Sequence, residues 1–175
     1  MLRATGRGCI GKRDRALIVC LWRGGLRVSE ALALKRKDID LEQGTIRVLH
    51  GKGDQARTVG IDPQACAVLV AWMAELRRFH RGPIFCSLKG EPLNASHVRR
   101  LLPRLASKAG IDKRVHPHGL RHTHAAELAA EGHPVNLIQA QLGHASLATT
   151  DRYLRHIAPR ELVEAMRERS GWSEG

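Results

Sequence analysis

Apolar residues recur along most of this chain at spacings of three and four, the period of helices that bury one face. Over residues 14–23, Leu17, Cys20 and Leu21 share a face, and Gly24-Gly25 closes the predicted helix. A second helix is predicted over 28–34, with Ala31, Leu32 and Leu34 as candidates for burial. Between residues 38 and 62 the pattern changes. TIRVLH (45–50) and ARTVGI (56–61) are β-rich runs joined by GKGDQ, which predicts an antiparallel hairpin with Lys52 near its tip. Asp62 and Pro63 then supply a cap and a first-turn proline for a long helix, along which Val68, Leu69, Trp72, Met73, Leu76 and Phe79 form a broad stripe. That stripe reads as core.

Residues 82–93 are rich in turn formers, with a short strand predicted at 84–86. Asn94 or Ser96 can cap a helix to residue 108, in which Pro103 predicts a kink or an early end. Helices follow over 117–131, 135–142 and 147–155, with Gly143 as a stop and Ser146 as a cap. A last helix runs over 159–169, and its apolar face is only Leu162, Val163 and Met166, small enough to dock on its own domain or on another subunit. Residues 1–12 read as a loose, basic lead. Neither an internal repeat nor a linker divides the chain. The expectation is an α+β, mainly α, single domain over residues 1–175 with a small antiparallel sheet near the N-terminus.

Composition narrows the function classes. No apolar run approaches the roughly 18 residues of a membrane span, and the first fifteen residues hold no apolar signal segment. Cys9, Cys20, Cys66 and Cys86 form no CxxC pair, so reduced thiols in a cytoplasmic protein are expected. Lys and Arg total 29 against 17 acidic residues, a net charge of +12, and Arg supplies most of the cations. The guanidinium fork matches phosphate oxygens, so the excess points to nucleic acid. Only six residues are aromatic, too few for a stacking platform on single strands. Duplex DNA is the better partner.

Candidate chemistry gathers between residues 116 and 156, which hold Tyr153, the only tyrosine, and several histidines. His118, Arg121 and His144 are all suited to a phosphate. His118 and Arg121, three residues apart, share a helix face. His144 and Tyr153, nine apart, would point opposite ways on an unbroken helix, so the break after Gly143 is needed to bring them together. Arg27, three residues before Glu30, reads on its own as half of a surface ion pair. The GKG around Lys52 lacks the spacing of a phosphate-cradling loop. His116, His118, His122 and His124 have spacings that could bind zinc, but neither an HExxH nor a cysteine partner accompanies them, so no metal is expected. His122 is expected to pack or to contact phosphate beside Arg121. His50, His80, His97 and His133 read as structural.

Taken in order, these segments resemble the tyrosine recombinase (phage integrase) family over nearly the whole chain. GLRVSEALAL resembles its first arginine box, which implies Arg27 as a phosphate clamp and Glu30 as its support. GKGDQAR resembles its hairpin, which implies Lys52 as the catalytic lysine, although Gln55 stands where the family often has a second basic residue and Arg57 follows. HGLRHTHAAELAAEG resembles its His-x-x-Arg box, implying His118 and Arg121, with His122 in support. LGHASLATTDRYLRH resembles its closing box, implying His144, the nucleophile Tyr153 and, in support, His156.

The resemblance implies strand cleavage through a 3′-phosphotyrosine link, with neither metal nor other cofactor, by a homo-oligomer, usually a tetramer, on double-stranded DNA. It implies too an N-terminal helical domain completing a clamp, for which residues 1–13 are too short. The chain is then a minimal recombinase, like the single-domain recombinases of fimbrial inversion, or a piece whose clamp half comes from elsewhere, including a separate protein. An idle DNA-binding remnant or regulator and a type IB topoisomerase are the alternative readings.

Overall fold

The computed structural model describes residues 1–49, 56–76 and 82–143, together with Arg167. The hairpin tip with Lys52, Phe79, and the predicted helices over 147–155 and 159–169 lie outside the described residues. So do His144, Ser146, Tyr153 and His156.

Helix α1 (Cys9–Trp22) is the central element. Its residues 16–21 are all buried, so it is enclosed on every side rather than lying on a surface. It begins five residues before the predicted start, and the lead before it is not loose. Leu2–Thr5 form a 3-10 turn, Ala4 is buried, and Met1 and Leu2 pack against the core. Gly11 lets this lead lie directly on the helix, since a Cβ there would come within 2.5 Å of the Gly6 carbonyl oxygen. Met1, Leu2 and Ala4 suffice to dock the lead, although they carry no periodic signal.

After the Gly24-Gly25 turn comes α2 (Val28–Ala33), with Ala31 fully buried. Strands β1 (Ile39–Asp40), β2 (Thr45–Val48) and β3 (Arg57–Gly60) form an antiparallel sheet in the order β1-β2-β3. The predicted hairpin is β2-β3, registered by Ile46 opposite Val59, with Ile46, Val48 and Val59 turned into the core. The short β1 has no counterpart among the predicted elements.

Helix α3 (Pro63–Leu76) starts where expected: the Ala65 N–H donates to Asp62 Oδ1 at 2.9 Å. Its Leu69, Trp72, Met73 and Leu76 are buried. The strand expected at 84–86 is instead an irregular segment with isolated bridges at its two ends, Lys35 to Pro83 and Cys86 to Pro92. Its side chains are nonetheless core, and Trp72 Nε1 donates to the Ile84 carbonyl at 2.8 Å.

Helix α4 (Ala95–Lys108) is capped by the Asn94 side chain, which accepts from the His97 N–H. It reaches its predicted end at Lys108, so Pro103 does not stop it early. Pro103 and Arg99, whose carbonyl loses a partner there, are both exposed, so water can replace the missing bond. On the opposite face Val98, Leu101, Leu102, Leu105 and Ala106 are held in the core. Helices α5 (Pro117–Ala130) and α6 (Val135–Leu142) follow within a residue of their predicted bounds, and Gly143 ends α6 in the left-handed conformation at φ 63°.

The described residues bury one large apolar cluster, built from α1 to α4 and the sheet, and a small one of Ala125, Ala129, Ile138 and Leu142 between α5 and α6. No helix among the described residues is long and apolar enough to cross a membrane.

Gly25 is where the two clusters meet. Its φ is 61°, and a Cβ there would lie 2.7 Å from His124 Cδ2 and 2.8 Å from Leu142 Cδ2. Gly25→Ala combines left-handed strain with overpacking, and is expected to cost about 2 kcal/mol or more. Urea unfolding of the two proteins measures it, and equal stability would show that the loop moves aside without cost.

Candidate active site

The site is built around one carboxylate. Glu30 lies in the first turn of α2, and its side chain is 0% exposed. It accepts from the Arg27 backbone N–H at 2.8 Å, closing the helix start, and from Arg27 Nη1 at 2.7 Å. Arg57, the first residue of β3, adds a two-pronged pair: Nη1 to Oε1 and Nη2 to Oε2, both 2.9 Å. Nη1 of Arg121, from α5, stands 4.0 Å from Oε2. Burial alone would raise the Glu30 pKa. The hydrogen bonds from Arg57, the Arg27 backbone and the Arg27 side chain outweigh it and hold the carboxyl at about 2. The Arg27–Glu30 pair is therefore not the surface contact that its spacing alone suggests.

The same three arginines hold the end of α6. Its last carbonyls lack intrahelical partners and carry the negative end of the helix dipole. The Gly143 N–H serves the carbonyls of Gln139 and Ala140. Arg57 Nε donates to the Gln141 carbonyl at 3.3 Å, Arg121 Nη2 to that of Leu142, and Arg27 Nη2 to that of Gly143 at 3.1 Å. Three successive carbonyls thus receive three arginines from three different elements. Arg121 Nη1 also donates to the Gly25 carbonyl, tying the glycine turn to α5. The Gln141 side chain fastens α6 to the outer edge of β3: its Oε1 accepts from the Gly60 N–H at 2.9 Å, and its Nε2 donates to the Gly60 carbonyl at 2.8 Å.

Beside this cluster opens a cavity of about 350 Å³, whose lining includes Arg27, Arg99, His116, His118 and Arg121. His116 is the N-cap of α5 and accepts from the Gly119 N–H at 3.0 Å. The His118 and His122 rings meet edge to face with centroids 4.1 Å apart. Burial, then the neighbouring Arg121, His116 and Arg27 charges, push the His118 pKa down. Burial, with His118 and then His116 and Arg121 nearby, takes His122 to about 4. Both rings are neutral at pH 7. The Arg27 side chain is 29% exposed and that of Arg121 only 5%, so Arg27 is the more open of the two cations.

Of the predicted residues, the structure brings Arg27, Glu30, His118, Arg121 and His122 to one place. Lys52 belongs by sequence to the β2–β3 connection, and His144 directly follows Gly143. Sequence reasoning passes over two contributors. Arg57 stands out in the sequence only as a basic residue after Gln55, and its partner Glu30 is 27 positions away. His124 stands out only through its spacing to the other histidines, as a metal ligand. It is buried against Gly25 with Nδ1 unpartnered, and burial together with Arg23 and Arg121 takes its pKa to about 4.

The model of the phage integrase family matches residues 1–160. The chain belongs to that family. Among curated relatives, the tyrosine recombinase XerC of Thermodesulfovibrio yellowstonii is 35% identical over 161 residues, covering 87% of this chain and 53% of that protein. The XerC of Rhodospirillum centenum is 39% identical over 146 residues, covering 82% of this chain and 42% of that protein. The chain thus spans about half the length of the curated relatives it matches. The crystal structure of XerA recombinase superposes with a TM-score of 0.82 at 35% identity, over 91% of this chain and 60% of that one. XerH bound to palindromic difH substrate, a post-cleavage complex, gives 0.77 at 32%, over 95% and 50%. The mainly helical fold with a small antiparallel sheet is that of this phage integrase family.

These pKa shifts give this family member a defined acid response. An unfolded histidine binds a proton near pH ~6.5, whereas native His124 resists until about 4. Stability is therefore complete above pH ~6.5 and falls as the pH drops from there towards 4, with His118 and His122 adding to the slope. A second loss, about 3 kcal/mol, follows below pH ~4.5 as Glu30 is forced to protonate towards 2. Urea midpoints from pH 8 to 3 should show both stages, and His124→Phe should flatten the upper one. A midpoint unchanged between pH 7 and 4 would contradict the burial of His124 as a neutral ring.

Proposed function

We propose that this chain carries the strand-cleaving centre of a site-specific DNA recombinase that acts in the cytoplasm on duplex DNA as a homo-oligomer, a tetramer when two duplexes are joined. The observation that carries the reading is the cavity lined by Arg27, His118 and Arg121, a neutral histidine beside two arginines that gather at one buried carboxylate. That set suits a phosphodiester whose charge grows on its non-bridging oxygens during attack, because the donors are already aimed. The relatives named as recombinases, and the structure of XerH bound to its difH substrate, support DNA as the partner.

In this reading Tyr153 is the nucleophile. A phenol with a pKa near ~10 must lose its proton at neutral pH. His118, neutral under the charges of Arg121 and Arg27, accepts it or organises its hydrogen bond. The tyrosine oxygen bonds to phosphorus, the bond to the 5′-oxygen breaks, and Lys52 delivers a proton to that oxygen. The 3′-phosphotyrosine ester conserves the bond energy, and a 5′-hydroxyl of another strand reverses the step and frees the tyrosine. Arg27, Arg121 and His144 hold the phosphate oxygens, with Glu30, His122 and His156 in support. Residues 1–175 act here as one catalytic domain.

The test uses nicked duplexes from the DNA flanking the gene, on which the 5′-hydroxyl fragment diffuses away after cleavage. The wild-type chain should form a covalent adduct that survives denaturing electrophoresis. Tyr153→Phe should form none, and Arg27→Ala should lower its rate by roughly 100-fold or more, the scale of a lost oxyanion donor. Salt-sensitive binding without an adduct would mark an idle DNA-binding protein, and loss of binding as well would overturn the reading.

A further inference from the structure

Arg57 is engaged more fully than a stabilising surface pair requires. All three nitrogens of its fork are used: Nη1 and Nη2 on Glu30, and Nε on the Gln141 carbonyl. Its side chain is 11% exposed, and it is not among the residues lining the cavity. It therefore lies behind the cavity rather than in its wall. What it touches are the two things that place Arg27, whose Nη1 shares Glu30 Oε1 with Arg57 and whose Nη2 holds the Gly143 carbonyl. The chain also passes directly over the Arg57 side chain at Gly143. A Cβ there would lie 2.6 Å from Arg57 Cδ and 2.9 Å from Cζ. Arg57 is thus the floor on which the last turn of α6 rests, one residue before His144, and it stands at the base of the hairpin that carries Lys52.

We propose that Arg57 is a positioning residue for strand cleavage, locking Glu30 and the end of α6 so that Arg27 keeps its place at the cavity that receives the scissile phosphate. This rests on the function proposed above. Lysine cannot substitute. A single ammonium can reach Glu30 or Gln141, but it cannot span both carboxylate oxygens and the carbonyl with a fixed fork. Without Arg57, Arg27 becomes the principal partner of a buried carboxylate and is drawn onto it, away from the cavity. Such a shift, about an ångström at a phosphate clamp, is enough for roughly a 100-fold loss of rate.

The experiment compares wild type, Arg57→Lys and Arg57→Ala as full chains. On the nicked duplex, single-turnover adduct formation should slow about 10-fold in Arg57→Lys and roughly 100-fold in Arg57→Ala, while duplex Kd changes less than about twofold. Acid loss of cleavage should begin at higher pH in Arg57→Ala, because Glu30 has lost its principal partner. Wild-type cleavage rates in both variants, or a rate that falls only with the folded fraction measured by circular dichroism, would overturn the proposal. A second readout needs no cleavage. Arginine side-chain NMR of the DNA-free protein should show the Arg27 guanidinium with slowed rotation and exchange in wild type, and a shifted or broadened Arg27 signal in both variants. An unchanged Arg27 signal overturns the proposal whether or not the wild type cuts DNA. Absence of a wild-type adduct counts against the function itself.

Discussion

A carboxylate removed from water is tolerated only if its charge is met on the spot, and Glu30 imposes that condition on everything around it. Its two oxygens are met by Arg27 from its own helix start and by Arg57 from the sheet, with Arg121 of α5 at 4.0 Å. The sheet and α2 belong to the large cluster, while α5 and α6 enclose the small one and α5 also reaches the large one through Leu120. Where hydrophobic packing passes from one cluster to the other, an ionic joint fixes the relative placement. Hydrophobic contact is non-directional and would leave such a joint free to slide. A bidentate arginine is directional and leaves only one arrangement.

The joint also gives the cavity its sign. Three guanidinium groups face one carboxylate, so positive charge remains after Glu30 is satisfied. The three carbonyls at the end of α6 absorb donors without cancelling charge, since each carries only part of the helix dipole. The arginines are thus held by neutral carbonyls as well as by Glu30. A phosphate arriving at the cavity does not have to compete with a full complement of carboxylates.

Local elements are largely readable from local chemistry. The Asp62-Pro63 start of α3, the Asn94 cap of α4 and the Gly143 stop of α6 depend on neighbours a few residues away, and all stand where the sequence places them. The failures have a common form. Pro103 reads as a kink or an early end, and the early end does not occur because the proline faces solvent. The lead reads as loose because Met1, Leu2 and Ala4 have no periodicity, although the core offers them a surface. At the site, five of the residues implied by the family resemblance do converge. Arg57 escapes because a salt bridge between positions 30 and 57 leaves no mark in either segment. The spacing of Arg27 and Glu30, by contrast, is visible yet misleading: an i,i+3 pair looks the same in sequence whether its carboxylate is solvated or buried.

The titration behaviour follows from the same arrangement. Excess positive charge that favours a phosphate disfavours a protonated imidazole, and the rings of His118, His122 and His124 are all shifted down where that charge and burial act together. Glu30 shifts down as well, since for a carboxylate the charged form is the one the arginines favour. Both shifts keep the site in a single protonation state at neutral pH, with the carboxylate charged and the imidazoles neutral. Acid then reaches the histidines well before it reaches Glu30. In that interval the ionic joint is intact while the rings gain charge, so stability should decline first where α5 packs against the Gly25 turn, and only later at the carboxylate that holds the arginines.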